Sequence, residues 1–283
     1  MSEVQARPRT PGLVFSDLGD GPAVLFVHGL ISDRHTWDAE LRALAGTHRV
    51  IAPDLLGHGE SAGSPGDYSL GSHAAALRDL LDELHIDRAT VVGHSLGGGI
   101  AMQFAYLFPD RVAGLVLVSS GGLGPDLNPA LRAATLPGSE WILPLLGVPW
   151  VQRVGSTALG VLSFLGRPVI SASTTAAWSG MATFGDAVNR TAFLATSRSV
   201  IGIRGQSVSA LPRLGMFADR PILVVWGGRD SLIPPTHAAA VTDALPHSVV
   251  AIFPEAGHFP HLDEPEHFHR TLAAFLASPA AQH

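Results

Sequence analysis

The sequence VVGHSLGGG at residues 91–99 is the stretch that decides the fold. A strand-like apolar run over residues 89–92 stops at Gly93, and a helix-like run over residues 96–108 begins directly after Ser95. The Gly-x-Ser-x-Gly pattern between them is typical of a nucleophile elbow. Such a turn strains the backbone of its central residue and brings the flanking chain so close that only glycine fits there. We therefore predict that Ser95 stands at a helix N-terminus, where free backbone N–H groups favour negative charge.

The pattern is a modest signal by itself, because the chain contains 31 glycines. A serine in a glycine-rich turn can also be no more than a helix N-cap. The strand, turn and helix that surround Ser95 are the context that the nucleophile interpretation requires, and they favour it over the N-cap.

The composition of the 283-residue chain indicates a folded protein with a large core. Hydrophobic residues make up 46% of the sequence, and only 15% of the residues are charged, with a net charge of −6. No basic block is present, so a nucleic-acid partner or an anionic membrane surface has no electrostatic support. The lack of cysteine excludes disulfides, thiolate metal ligands and a cysteine nucleophile.

The hydropathy pattern indicates neither a signal peptide nor a membrane span. Residues 1–11 are polar and contain proline where a signal peptide has an apolar core. The most apolar long stretch, residues 141–165, is interrupted by proline, glycine and polar side chains before it reaches the length of a membrane crossing. We therefore expect a soluble, cytoplasmic protein.

Strand-like and helix-like segments alternate along the first 118 residues, which predicts an α/β fold with a mostly parallel sheet. The functional site of such a sheet lies at the carboxyl ends of its strands. Glycine, histidine, aspartate and serine occupy these ends here, at His28-Gly29, Asp54, residues 93–95 and Ser119-Ser120. The strand pattern returns at residues 221–226 and 249–253.

A change in sequence character at Gly121 marks an insertion. From there to about Asp219 the strand signals fade, and short helical runs rich in alanine, leucine, glycine, serine and proline replace them. We predict that residues 1–120 and 220–283 form the core, and that residues 121–219 form a helical cap or lid over the strand ends.

Three chemically reactive residues follow the carboxyl ends of predicted strands in the order Ser95, Asp230 and His258. Nucleophile, acid and base in this chain order are found in α/β-hydrolases. Further matching motifs are HGL at 28–30, PDLLGHGES at 53–61, GHSLGG at 93–98, WGGRD at 226–230 and EAGHFPHLDEP at 255–265. By these motifs the sequence resembles the α/β-hydrolase superfamily, in particular its serine esterases and cofactor-free haloperoxidases. The resemblance covers nearly the whole chain outside the cap.

The resemblance implies an α/β-hydrolase fold, a mostly parallel central sheet flanked by helices with a helical cap insert, and a serine hydrolase of the carboxylic ester class. His258 would take the proton of Ser95 and later deliver it to the leaving group, while Asp230 would hold the imidazole and offset its charge. Two backbone N–H groups, those of Leu96 and, by resemblance, Leu30, would form the oxyanion hole for an acyl-enzyme reaction. No cofactor is expected.

Other roles for these residues are less favoured. Asp230 could be a turn aspartate, and the acid of some superfamily members follows the preceding strand, where the nearest candidate here is Asp126. A metal site could be imagined from the histidines and glutamates of the C-terminal region, but His267 and His269 would point to different faces of one helix. We expect no metal there. The histidines near the site are interpreted as packing or structural residues: His28, His94 and His261.

Several functions remain open on this frame. Haloalkane dehalogenases and epoxide hydrolases resemble this arrangement of motifs but use aspartate as the nucleophile, so Ser95 argues against both. The glycine-rich loop after the HG motif of meta-cleavage-product C–C hydrolases is absent, since Leu30 to Asp33 follow Gly29, and that branch is less favoured. C–C bond hydrolysis, acyl transfer and a ligand receptor with an intact triad stay as alternatives, and the oligomeric state stays open.

The cap composition bears on the substrate. Its apolar character suggests a small to medium, largely apolar substrate. Seven arginines in the cap leave room for a carboxylate-bearing one: Arg132, Arg153, Arg167, Arg190, Arg198, Arg204 and Arg213.

Overall fold

An eight-stranded sheet forms the centre of the computed structural model, which describes residues 6–9, 12–64, 66–164 and 171–278. The strands of this sheet and of a separate hairpin are β1 (Ala6–Arg9), β2 (Leu13–Leu18), β3 (Ala23–Val27), β4 (Arg49–Pro53), β5 (Ala89–His94), β6 (Val112–Val118), β7 (Ile201–Gly202), β8 (Gly205–Gln206), β9 (Ile222–Gly227) and β10 (Val249–Phe253). The sheet has the order β1-β2-β4-β3-β5-β6-β9-β10. β2 runs antiparallel to both of its neighbours, β1 and β4, and the other neighbouring strands of this sheet pair in parallel. The mostly parallel sheet predicted from the alternating pattern is therefore confirmed.

The α-helices of the described residues are α1 (Asp38–Leu44), α2 (Leu70–Glu83), α3 (Leu96–Leu107), α4 (Pro129–Ala133), α5 (Ser139–Leu146), α6 (Pro149–Phe164), α7 (Ala172–Gly180), α8 (Ala187–Val200), α9 (Thr236–Ala244), α10 (Pro260–Asp263) and α11 (Pro265–Leu276). Helices α2, α3 and α9 pack on one face of the sheet, and α1 and α11 pack on the other. Residues of β6 alternate between the two cores, with Leu115 and Leu117 in one and Val116 and Val118 in the other. Because both faces are covered, the central strands are apolar throughout, as the sequence pattern indicated.

Two strand boundaries differ from the sequence prediction. β5 continues through Gly93 to His94, because both residues still pair with the end of β6. The glycine therefore does not end the strand, and its role lies in the turn that follows. β1 pairs antiparallel with β2 in a region where the polar sequence predicted no strand. Residues 1–5, 10 and 11, which belong to the segment tested for a signal peptide, lie outside the described residues.

The inserted segment, residues 121–219, contains α4 to α8 and lies between β6 and β9 in the chain. Its helices pack around a small core of Leu143, Phe184, Phe193 and Leu194. The hairpin β7–β8 within it was not predicted, because two-residue strands leave no readable alternation. None of the helices in the described ranges combines the length and hydropathy that a membrane crossing requires.

Candidate active site

Ser95 occupies a strained turn between β5 and α3. Its backbone has φ 54° and ψ −115°, a conformation that costs about 1–3 kcal/mol in a non-glycine residue. A Cβ on Gly93 would overlap the carbonyl of Gly97, and a Cβ on Gly97 would overlap the carbonyl of Val27. The turn is held by a hydrogen bond of 2.9 Å from Ser95 N to Val118 O. The glycines are therefore needed for close approach of the backbone, as the sequence pattern predicted.

Asp230 and His258 are in direct contact at the carboxyl ends of β9 and β10. His258 Nδ1 donates to Asp230 Oδ2 over 2.8 Å, and the N–H groups of Leu232 and Ile233 donate to Asp230 Oδ1 over 2.9 and 3.0 Å. The Asp230 side chain is fully buried, so these donors compensate its charge. A proton on Nδ1 leaves Nε2 of His258 with a free lone pair, which is the form that a general base needs.

Ser95 and His258 line the same cavity, but no hydrogen bond joins them. Within the described ranges of the chain, the hydroxyl of Ser95 makes no hydrogen bond to any group. Hydrogen bonds between a nucleophile and its base are often loose in structures without substrate and tighten in the complex. The structure therefore brings the acid and the base into contact, and it places the serine beside them with its hydroxyl free.

Leu30 and Leu96 both line the same cavity as Ser95. Leu96 is the first residue of α3, so its N–H has no partner within the helix. Leu30 lies in the loop after β3, and its carbonyl accepts a hydrogen bond of 3.1 Å from His58 Nε2, which holds this loop. Neither N–H donates to another group in the described part of the chain, so both are available to an oxyanion.

Two histidines that the sequence suggested were packing residues make specific hydrogen bonds. His94 Nε2 donates to the carbonyl of His258 over 2.8 Å, and burial holds the pKa of His94 well below 6.5. His28 Nδ1 donates to the carbonyl of Gly29, while its Nε2 accepts a hydrogen bond from Leu55 N. His94 therefore orients the backbone of the candidate base, and His28 ties the end of β3 to the loop after β4. Both rings are buried, so these hydrogen bonds add to the packing role that the sequence suggested.

A carboxylate that sequence reasoning missed holds the loop of His258. Asp263 accepts hydrogen bonds of 2.8 Å from Gly257 N and from Ser173 N, and a further one from Ser173 Oγ. Ser173 Oγ in turn accepts 2.9 Å from Phe259 N. The residues on both sides of His258 are thus fixed to one carboxylate and to the start of α7. The position of Asp263 within the motif at 255–265 was the signal available in the sequence.

The two alternative roles weighed in the sequence are an acid at Asp126 and a metal site in the C-terminal region. The Asp126 side chain is 72% exposed and lies 3.5 Å from His237, whereas Asp230 is the carboxylate that contacts His258. Among the residues that the structure describes, no group of three or more histidine, aspartate or glutamate side chains is arranged to hold a metal ion. His261 stacks on Trp37, with ring centroids 4.3 Å apart, and its role is structural.

Two cavities meet at Ser95. The one that His258 also lines, here called the His258 cavity, lies against the inserted segment. Its walls are mostly apolar and include Ile31, Leu143, Leu146, Met181, Phe184 and Phe193. The other, here called the α3 cavity, follows α3 away from Ser95. Its walls include Leu70, Met102, Gln103, Tyr106, Val208 and Arg213.

Buried histidines around the site predict a loss of stability in acid. Burial lowers the pKa of His58 to about 4, and burial likewise lowers the pKa of His73 and of His261 to about 3. The unfolded chain takes up protons near pH 6.5 and the folded chain does not, so stability is full above that pH and falls below it. Each group contributes about 1.4 kcal/mol per pH unit. We expect the free energy of unfolding in guanidinium chloride to drop by several kcal/mol between pH 7.5 and 5.

A variant separates these histidines from other acid effects. His73→Gln removes one of the three groups, so its unfolding free energy should depend less steeply on pH, by about 1.4 kcal/mol per unit below pH 6.5. Equal slopes for the variant and the wild type would show that His73 does not stay neutral in the folded protein.

Comparisons with known proteins extend over most of the chain. A family model for the alpha/beta hydrolase fold matches residues 22–153 and 160–265. An uncharacterized protein of Mycobacterium tuberculosis is 38% identical over 282 residues, which cover 93% of this chain and 77% of that protein. The 2-hydroxy-6-oxo-6-phenylhexa-2,4-dienoate hydrolase of Burkholderia cepacia is 28% identical, over 93% of this chain and 90% of that enzyme. The solved structure of a thermophilic esterase from Thermogutta terrifontis superimposes with a TM-score of 0.72 at 26% identity, over 96% of this chain and 98% of the esterase.

Proposed function

The chain belongs to the α/β-hydrolase family, and from this premise we propose that it is a serine hydrolase that cleaves an ester-like carbonyl substrate through an acyl-enzyme. The observation that carries the proposal is the hydrogen bond of 2.8 Å between His258 and the buried Asp230, in a cavity that the strained Ser95 also lines. Strained turns and buried, charge-compensated acid–base pairs are typical of catalytic sites.

In the proposed reaction, Ser95 Oγ attacks the carbonyl carbon while His258 Nε2 takes its proton. The negative charge that develops on the carbonyl oxygen is stabilised by the N–H groups of Leu30 and Leu96 and by the N-terminus of α3. His258 then gives the proton to the departing oxygen, and the acyl group stays on Ser95. In the second half of the reaction, a water molecule attacks the acyl-enzyme, His258 takes its proton, and the carboxylic acid is released from Ser95.

We further propose that residues 121–219 act as the cap of this site, over a core formed by residues 1–120 and 220–283. The proposal is supported by the apolar side chains that α5, α8 and the turn after α7 contribute to the His258 cavity. Contacts of Asp263 with Ser173 join the start of α7 to the loop of His258. Apolar walls favour a largely apolar leaving group on this side.

A second candidate function is hydrolysis of a C–C bond on the same three residues. It is favoured by one finding, the similarity to the Burkholderia cepacia enzyme, whose name gives a dienoate as its substrate. Ester hydrolysis breaks a C–O bond and the second reaction breaks a C–C bond. Both can use the same three residues, so the products distinguish the two reactions and the site does not.

A substrate panel tests the proposal. Purified protein should release p-nitrophenol from p-nitrophenyl esters with an initial burst, because acylation precedes slower deacylation. The same protein is then given a vinylogous 1,5-diketone, and the products are identified by mass spectrometry. Cleavage of the diketone without turnover of any ester would replace the proposal by its second candidate. Ligand binding without turnover of either compound would indicate a receptor on this fold.

A further inference from the structure

Arg213 stands apart from the other arginines of the inserted segment. Among the described arginines it is the one that lines a cavity bordered by Ser95. Arg190 and Arg198 are occupied with backbone carbonyls, and Arg198 also pairs with Glu140. Arg167 lies outside the described residues. The sequence left open which of these arginines could meet a substrate, and the cavity walls single out Arg213.

The guanidinium of Arg213 is held in place without an ion-pair partner. It lies 5.7 Å from the ring centroid of Tyr106, whose hydroxyl donates 3.0 Å to Ala210 O and whose ring stacks on Phe217. In the described part of the chain, no carboxylate pairs with Arg213, and no aspartate or glutamate lines the α3 cavity. The cavity therefore has mostly apolar walls and one positive charge, that of the exposed Arg213.

A neutral amide lies beside this charge. Gln103 is one helical turn before Tyr106 on α3, lines the same cavity and makes no hydrogen bond within the described residues. Its amide can therefore donate to an anion that approaches Arg213. Gln206 lines the cavity too, but its Oε1 already accepts 2.6 Å from Gly122 N.

The placement of His258 assigns the two cavities to the two halves of an ester. The leaving group takes its proton from His258, which lines the His258 cavity but not the α3 cavity. The leaving group therefore lies in the His258 cavity, and the acyl chain lies along α3. Tyr106 follows Ser95 by eleven residues, so its Cα lies about 16 Å along the helix, and the Arg213 guanidinium lies 5.7 Å from its ring.

We propose that the α3 cavity binds an acyl chain that ends in a carboxylate, which Arg213 binds with the help of Gln103. The substrates are then monoesters of medium-chain dicarboxylic acids, whose free carboxylate would pair with the guanidinium. This inference rests on the proposed function for its catalytic step. The binding of the carboxylate itself needs no turnover.

The test compares two esters of equal chain length, mono-p-nitrophenyl sebacate and p-nitrophenyl decanoate. The wild type should favour the sebacate by about ten-fold in kcat/KM at low ionic strength, and the preference should shrink in high salt because Arg213 is exposed. Arg213→Met should abolish the preference, because kcat/KM for the sebacate should fall by about ten-fold. Arg204→Met removes the same charge from an exposed position outside the cavity and should keep the preference.

Binding to a Ser95→Ala variant separates this inference from the proposed function. Calorimetry with monomethyl sebacate and methyl decanoate should show about ten-fold tighter binding of the carboxylate, lost when Arg213→Met is added. Turnover of both esters at equal rates, with equal binding of the two methyl esters, would overturn the inference and leave the hydrolase proposal intact. Tighter binding of the sebacate without turnover of either p-nitrophenyl ester would support Arg213 and overturn the hydrolase proposal.

Discussion

Replacing Ser95 with alanine should lower kcat for ester hydrolysis by a factor of about 10⁴ or more and leave the fold unchanged. The loss is large because the proposed covalent intermediate cannot form without the hydroxyl. The fold should persist because this hydroxyl makes no hydrogen bond within the described residues, and alanine meets the same backbone strain as serine at φ 54°. Initial rates with a p-nitrophenyl ester and thermal unfolding of the purified variant measure both effects.

Ser209→Ala serves as the matched control for this variant, because Ser209 also lines the α3 cavity. Its rate should stay within a few-fold of the wild type, since among the described residues only the N–H of Leu211 donates to its hydroxyl, over 3.3 Å. Full activity in Ser95→Ala, freed of contaminating esterase by a second purification step, would show that another residue is the nucleophile.

Asp230→Asn should lower kcat by about 10³- to 10⁴-fold and preserve the fold. An amide oxygen can still accept the hydrogen bonds of Leu232 N and Ile233 N, so the loop after β9 keeps its shape. The amide NH₂ turned toward His258 Nδ1 favours the tautomer with its proton on Nε2, which cannot take the proton of Ser95. Steady-state kinetics together with circular dichroism distinguish this loss from unfolding.

Asp126→Asn is the control for this second prediction, because Asp126 was the alternative acid in the sequence. Its side chain is exposed and lies beside His237, and we expect the kcat of the variant to match the wild type. A larger loss in Asp126→Asn than in Asp230→Asn would reverse the assignment of the acid.

The parts of the fold that depend on local pattern could be predicted from the sequence. Continuous apolar runs indicated buried parallel strands, and Ser95 between its glycines indicated the strained turn. That Asp230 and His258 act together was implied by the resemblance to α/β-hydrolases, and both residues follow strands that end at one edge of the sheet. Their contact of 2.8 Å agrees with that reasoning.

What the sequence could not supply depends on contacts between distant segments. The hydrogen bond from His94 to the carbonyl of His258 spans 164 residues, and that between Ser173 and Asp263 spans 90. No periodicity encodes either contact. Arg213 could not be separated from the other arginines of the inserted segment for the same reason. Whether an arginine faces the cavity depends on how Tyr106 of α3 packs against Phe217 and Arg213 of the inserted segment.

Labelling with a fluorophosphonate probe, followed by peptide mapping, tests the central claim most directly. The probe reacts with an activated serine whatever the natural substrate is, so it examines the chemistry of Ser95 alone. We predict one covalent adduct per chain, located on Ser95, absent from Ser95→Ala and formed far more slowly in Asp230→Asn. An adduct on a different serine, or a protein that stays unlabelled while it hydrolyses esters, would contradict the account.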